Sequence, residues 1–353
     1  MNTLDRIREE LKEMGLEGGF FYKPENRFYV SGFTGSAGYA LVTMDKAYLI
    51  TDFRYFSQVG EQCPDFELKE ISTQISFGQV LSELGLKKVG FEDDFMTIED
   101  MEVLKSKFSG ELVPMKRFIE EIRQIKREDE IELVRKAQNI ADDTFSYMLD
   151  FIKPGMTERE VHLELVNQMT RRGADGESFT AIVASGERGA LPHGRASDKV
   201  IEKGDFLTLD FGCIYKGYCS DMTRTISVGK ASDELKEIYE IVLRAQKAAL
   251  EAIKPGAVCS DIDGVARGII SEAGYGDNFG HGLGHSIGLE VHENPRFNQV
   301  DNSILKPGMI MTDEPGIYIP GLGGVRIEDL VLVTEDGYEV LSKSDKELIE
   351  LEF

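Results

Sequence analysis

The stretch Ile152–Gly176, "IKPGMTEREVHLELVNQMTRRGADG", returns in altered form as Ile253–Gly276, "IKPGAVCSDIDGVARGIISEAGYG". The alignment sets Pro154 on Pro255, Gly155 on Gly256 and Gly173 on Gly274. In each copy one helix stops at Pro-Gly and a second follows, closed by glycine. A β-rich segment comes next in both. Duplicated helix–helix–sheet halves predict a pseudo-two-fold α+β domain.

The first β-rich segment is "DFLTLDFGCIYKGYCSDMTRTISV", Asp205–Val228. Folded as a hairpin about Tyr215-Lys216, it sets Asp210 directly opposite Asp221. Like charges across a hairpin repel, more strongly when buried, and a cation is the economical remedy. The second segment, "MIMTDEPGIYIPGLGGVRIEDLVLV", Met309–Val333, does the same with Glu314 and Glu328 about Gly321. Pseudo-symmetry then gathers four carboxylates into one basin. Such a set suits hard divalent ions, and one imidazole widens the choice from manganese to cobalt, zinc or iron. The imidazole comes from "FGHGLGHSIGLEVHE", Phe279–Glu293, which holds three of the chain's five histidines. Its glycines oppose a regular helix and let backbone approach closely.

The chain has 353 residues, 41% hydrophobic and 29% charged, which predicts two globular domains. Residues 1–122 read as an α/β domain, with strands at "GGFFY", "RFYVSGF", "YALVTM", "AYLITD" and "KKVGFED" and a helix at "FGQVLSELG". One long helix is expected from Glu120 to Ile152, and residues 123–353 form the second domain. The net charge of −23 disfavours nucleic acid and anionic membranes. Four cysteines without metal spacing, and no apolar run of membrane length, lead us to expect a cytoplasmic protein.

At "LDFG…SDMTRT", "GHGLGHSIGLEVHE", "DEPGIYI" and "GVRIED" the sequence resembles the pita-bread dinuclear metallopeptidases, which include methionine aminopeptidase, aminopeptidase P and prolidase. "SGFTGSAGYALVT" and "TDFRYF" resemble the creatinase-type N-terminal domain of the proline-specific members. The resemblance implies a metal-dependent exopeptidase that cleaves Xaa-Pro bonds by a water activated between two ions, manganese first. Asp210 chelates one ion, Asp221 and Glu328 bridge both, and His285 and Glu314 complete the other shell. Glu314 is also the implied general base. His292 is expected at the scissile group, His193 near the leaving nitrogen, and His281 on the proline side. Arg326 is expected beside a ligating carboxylate or on substrate, and Phe179 against the proline ring. Arg296 is a candidate anchor for a terminal carboxylate, which favours a dipeptidase, whereas the N-terminal motifs lean to aminopeptidase P. The implied partners are small peptides with proline second, and the implied assembly is a homodimer. Methionine aminopeptidase activity, or a non-catalytic binding protein on the same fold, are the alternatives.

Overall fold

The computed structural model describes residues 2–353, which divide into two compact units, residues 2–122 and 123–353. The first unit is built on a six-stranded mixed sheet. Its spatial order is Glu67–Glu70, Ala47–Thr51, Tyr39–Thr43, Gly18–Phe21, Lys88–Phe91 and Glu111–Pro114. Phe20, Leu41, Ile50, Leu81 and Val89 fill one core against it. The strand expected at "RFYVSGF" is instead the helix Pro24–Ser31. Pro24 starts it with a pre-set φ, and Gly32 ends it in the left-handed conformation at φ 74°. Those end signals outweigh the β propensity of the residues between them.

The long helix expected from Glu120 is broken. Phe118–Arg123 is a short helix, and Glu128–Phe151 is the long one. Between them Lys126 N donates to Gly308 O at 2.9 Å, and Glu130 Oε2 accepts from Arg127 N at 2.7 Å, capping the new helix. Tertiary contact, not Pro or Gly, makes this break.

The duplication is present in the second unit. Helices Glu128–Phe151 and Glu158–Arg171 flank the first Pro-Gly, and Asp233–Ala252 and Cys259–Glu272 flank the second. Gly155 N donates to Ile201 O and Gly256 N to Leu305 O, each at 2.9 Å, so the two corners are tied alike. Each half has its own core, one around Phe145, Leu165, Leu209 and Phe211, the other around Tyr239, Ile262, Phe297 and Val331. The first half carries a three-stranded sheet of Ile182–Ser185, Phe206–Phe211 and Met222–Ser227; the second carries a five-stranded sheet centred on Ile310–Asp313. The halves meet where Glu328 N donates to Thr223 O at 3.0 Å and Arg326 N to Thr225 Oγ1 at 3.1 Å.

The second hairpin has the expected register. Asp313 pairs with Asp329 and Gly316 with Arg326, so Glu314 and Glu328 fall opposite each other between the two ladders. The first hairpin is shifted. Asp210 faces Thr223, Tyr215 faces Tyr218, and the turn lies at Lys216-Gly217, with φ 49° and 87°. Two consecutive left-handed residues match the twist of the flanking strands and set this register. Asp221 therefore lies diagonal to Asp210, two residues from its true partner Thr223 and on the same face.

Candidate metal centre and active site

The two hairpins and the histidine-rich segment converge on one cavity of about 580 Å³. Its wall includes Asp210, Asp221, His285, Glu314 and Glu328, together with His193, His281, His292, Arg326, Arg296 and Phe179. The cavity thus brings together every residue singled out above for ligation, catalysis or substrate contact. His162 lies apart, its Nε2 3.0 Å from Glu177 Oε1.

Asp221, His285 and Glu328 are buried and each offers an atom within 4.8 Å of the others. His285 Nε2 is 3.7 Å from Asp221 Oδ2 and 3.4 Å from Glu314 Oε1. The His285 Nδ1–H donates to Ser286 O at 3.0 Å, which assigns the tautomer and leaves Nε2 as a donor atom for a metal. This close approach depends on Gly284, where a Cβ would lie 2.1 Å from Thr312 O. Thr312 Oγ1 in turn accepts from His285 N at 2.9 Å and donates to Glu314 Oε1 at 3.1 Å.

The electrostatics of the cluster call for a cation. Burial first, then the charges of Asp210 and Glu314, holds the Asp221 carboxyl well above the usual carboxylate range. Burial and the charge of Asp221 do the same to Glu328. Burial pushes Glu314 up to about 8, against the opposing pull of Arg326. His285 is pushed down to about 3 by burial and by His292, so its ring is neutral. Asp221 Oδ1 and Glu328 Oε1 are buried with no hydrogen-bond partner. Buried polar atoms are seldom left so. Four carboxylates, two of them with an unpartnered buried oxygen, and one neutral imidazole fit divalent ions.

A polar network braces this donor set. Thr223 Oγ1 donates to Glu328 Oε2 at 2.7 Å and accepts from Arg326 Nε at 3.2 Å. Arg326 Nη2 pairs with Asp210 Oδ2, and Nη1 donates to the Tyr318 hydroxyl at 2.7 Å. Tyr318 then donates to His281 Nε2 at 2.8 Å, while His281 Nδ1–H donates to Gly282 O at 2.7 Å. Burial and Arg326 lower His281 to about 4, consistent with the neutral ring this chain of donors requires.

Comparison with known proteins places this geometry in a family. The model of Metallopeptidase family M24 matches residues 132–335, and that of the Creatinase/Prolidase N-terminal domain matches residues 3–125. The chain belongs to metallopeptidase family M24. It is 40% identical to an Xaa-Pro dipeptidase of Pyrococcus furiosus, over 98% of this chain and 99% of the relative. The solved Xaa-Pro dipeptidase from Bacillus anthracis superposes with a TM-score of 0.96 at 47% identity, covering 99% of each chain. The X-Pro aminopeptidase from Thermotoga maritima gives a TM-score of 0.91 at 38% identity, covering 97% of this chain and 99% of that one.

Within this M24 site, reasoning from sequence missed Tyr318, Thr223 and Thr312. Tyr318 lies in "DEPGIYI", four residues after Glu314 and hence on the same side of an extended segment. That spacing was the available signal. The two threonines each stand within two residues of a ligand candidate, but a hydroxyl in a strand carries no distinctive pattern.

Proposed function

We propose that the protein is an Xaa-Pro dipeptidase that binds two divalent ions, manganese first, through Asp210, Asp221, His285, Glu314 and Glu328. The strongest support is the buried pair of unpartnered oxygens, Asp221 Oδ1 and Glu328 Oε1, grouped with the neutral imidazole of His285. Ions held there would supply Lewis acidity and make the attacking water more acidic.

The chain's own residues do the rest. Glu314 takes the proton of the attacking water, and Thr312 orients its carboxylate. His292, exposed on the cavity wall with its ring 4.5 Å from that of His285, donates to the scissile carbonyl oxygen as charge develops there. His193, also on the cavity wall, is assigned to the leaving nitrogen. That nitrogen is proline's and has no N–H in the peptide bond, so the proton that Glu314 takes from the water passes to it as the C–N bond breaks. His281, held by Tyr318, and Phe179, half-buried on the wall, shape the proline side. Arg326 neutralises Asp210, and its Nη1 also donates to Pro192 O at 3.3 Å, next to His193.

Arg296 is exposed at the cavity mouth, with its backbone N–H held by Asp301 Oδ2 at 2.9 Å. It is suited to the free carboxylate of a dipeptide. This, with the dipeptidase names of relatives at 40–47% identity, moves the balance from aminopeptidase P to the dipeptide. The full set of ligand residue types speaks against a non-catalytic relative. The Creatinase/Prolidase N-terminal match speaks against a methionine aminopeptidase. Four buried free cysteines suit a reducing cytoplasm, and no helix among the described residues is long and apolar enough to cross a membrane. A homodimer is the assembly the family resemblance implies, and sedimentation velocity checks it.

The test is amino-acid release from Ala-Pro, Ala-Pro-Ala and Met-Ala-Ser, after chelation and again after adding Mn²⁺. Metal-dependent cleavage of Ala-Pro alone is the expected result. Cleavage of Ala-Pro-Ala means an aminopeptidase and removes the carboxylate-anchor role from Arg296. Cleavage of Met-Ala-Ser, or of nothing with any divalent ion, refutes the proposal.

A further inference from the structure

Outside the ligand shell, one buried charged cluster has no part in the chemistry described so far. Lys126 and Arg123 stand at the start of the second unit, each with a side chain only 2% exposed. Both meet the Glu293 carboxylate. Lys126 Nζ lies 3.0 Å from Glu293 Oε2, and Arg123 Nη2 contacts Glu293 Oε1 and also Glu290 Oε2 at 3.2 Å. Glu293 Oε1 further accepts from Leu289 N at 3.0 Å and Glu290 N at 3.2 Å. Lys126 Nζ also lies 3.3 Å from Ser286 Oγ.

These contacts enclose one loop, Gly288–Glu293, and hold it at both ends. Ser286, before the loop, adjoins His285 and accepts the His285 Nδ1–H. Glu293, at its end, adjoins His292. Between them Leu289 is buried, Glu290 and Val291 are half-buried, and His292 is exposed with its ring edge-on to His285 at 4.5 Å, so the aim of the ring depends on how the loop's two ends are held. The carboxylate reaches under the loop because residue 288 is glycine; a Cβ there would lie 2.8 Å from Glu293 Oε1. Gly288 O also accepts from Cys219 N at 2.8 Å, two residues before Asp221. Lys126 and Arg123 hold Glu293 down to about 2 against the opposing effect of its burial, so the clamp stays charged throughout the neutral range. A buried ion pair is weak evidence for stability, since apolar side chains of similar volume often do as well. A task in orientation accounts better for three charges placed here.

We propose that Lys126, Arg123 and Glu293 are positioning residues: their buried clamp joins the two ends of the Gly288–Glu293 loop and aims His292 into the cavity. The inference rests on the reading that His292 addresses the scissile group.

The test compares Lys126→Met, Lys126→Arg and Gly288→Ala with the wild type, all as full-length protein. Mn²⁺-loaded samples are assayed on Ala-Pro, and hydrogen–deuterium exchange follows residues 288–293 in metal-free samples. A misaimed group costs up to about a hundredfold, so Lys126→Met should lower kcat about ten- to a hundredfold, with KM within about threefold and manganese content unchanged. The Leu289 and Glu290 amides should exchange at least about tenfold faster. Lys126→Arg should restore most of kcat. Gly288→Ala keeps every charge but displaces the Glu293 carboxylate, so it should reproduce the kcat loss even if Lys126→Met does not fold. Wild-type kcat in either folded variant overturns the proposal. So does unchanged exchange in the loop, or a kcat loss matched by loss of metal. Exchange needs no turnover, so a protein inactive on Ala-Pro would refute the dipeptidase reading while exchange still decides the clamp.

Discussion

Removing metal should invert the way stability responds to pH. Glu314 has a folded pKa of about 8 against an ordinary 4.5, because burial and neighbouring charge disfavour its ionised form. The folded state therefore binds this proton more tightly than the unfolded state does. By linkage, stability is highest below 4.5 and is lost as pH rises through 8. Between pH 5.5 and 8 the loss from this group alone is about 3 kcal/mol, at 1.36 kcal/mol per pH unit. For a domain of this size, about 2–4 °C of Tm per kcal/mol makes that roughly 6–12 °C. Asp221 and Glu328, also raised, act in the same direction over the whole range. Burial holds His285 down to about 3 and His281 down to about 4, so these rings oppose the trend, but only as pH falls below their ordinary 6.5. Divalent ions bind the ionised carboxylates, so they stabilise most at high pH, by about 2.7 kcal/mol at a hundredfold excess over Kd. Differential scanning calorimetry of chelator-stripped protein should show Tm rising as pH falls from 8 to 5.5. With Mn²⁺ the slope should flatten or reverse, and Glu314→Gln should reduce the metal-free slope. A metal-free Tm that falls on acidification over this range, or parallel profiles with and without metal, would refute the reasoning.

His285→Ala removes the only imidazole in the ligand cluster, and elemental analysis should find about one metal equivalent fewer with activity down at least about a hundredfold. Arg326→Met strands the buried Asp210 carboxylate and should lower stability by about 3–5 kcal/mol in urea unfolding; Arg326→Lys should lose less. Tyr318→Phe deletes the hydroxyl between Arg326 and His281, so stability should fall by about 1–3 kcal/mol. If His281 shapes the proline pocket, the same variant should raise KM for Ala-Pro more than it lowers kcat.

Local rules carried the sequence reading far where the chain's own chemistry dominates. Pro154-Gly155 and Pro255-Gly256 marked the duplicated corners, and the glycine-rich tip at Gly321 gave the second hairpin's register. The first hairpin was misjudged by one step because Lys216, a residue that seldom adopts positive φ, shares the turn with Gly217. "RFYVSGF" looked β-forming from composition, although Pro24 and Gly32 were legible as helix ends. The break before Glu128 depends on a distant carbonyl, that of Gly308, and no local pattern announces it. The same holds for Glu293, which is distant in sequence from the neighbouring Arg123 and Lys126 and meets them only after folding.

The duplication divides the candidate ligands unevenly. Asp210 and Asp221 belong to the first half, His285, Glu314 and Glu328 to the second, and each half packs around its own apolar cluster. Neither half alone holds the full set. Full coordination of an ion therefore exists only after the halves have docked at Thr223–Thr225 and Arg326–Glu328. Metal acts as a latch on the finished fold: it should slow unfolding far more than it speeds refolding.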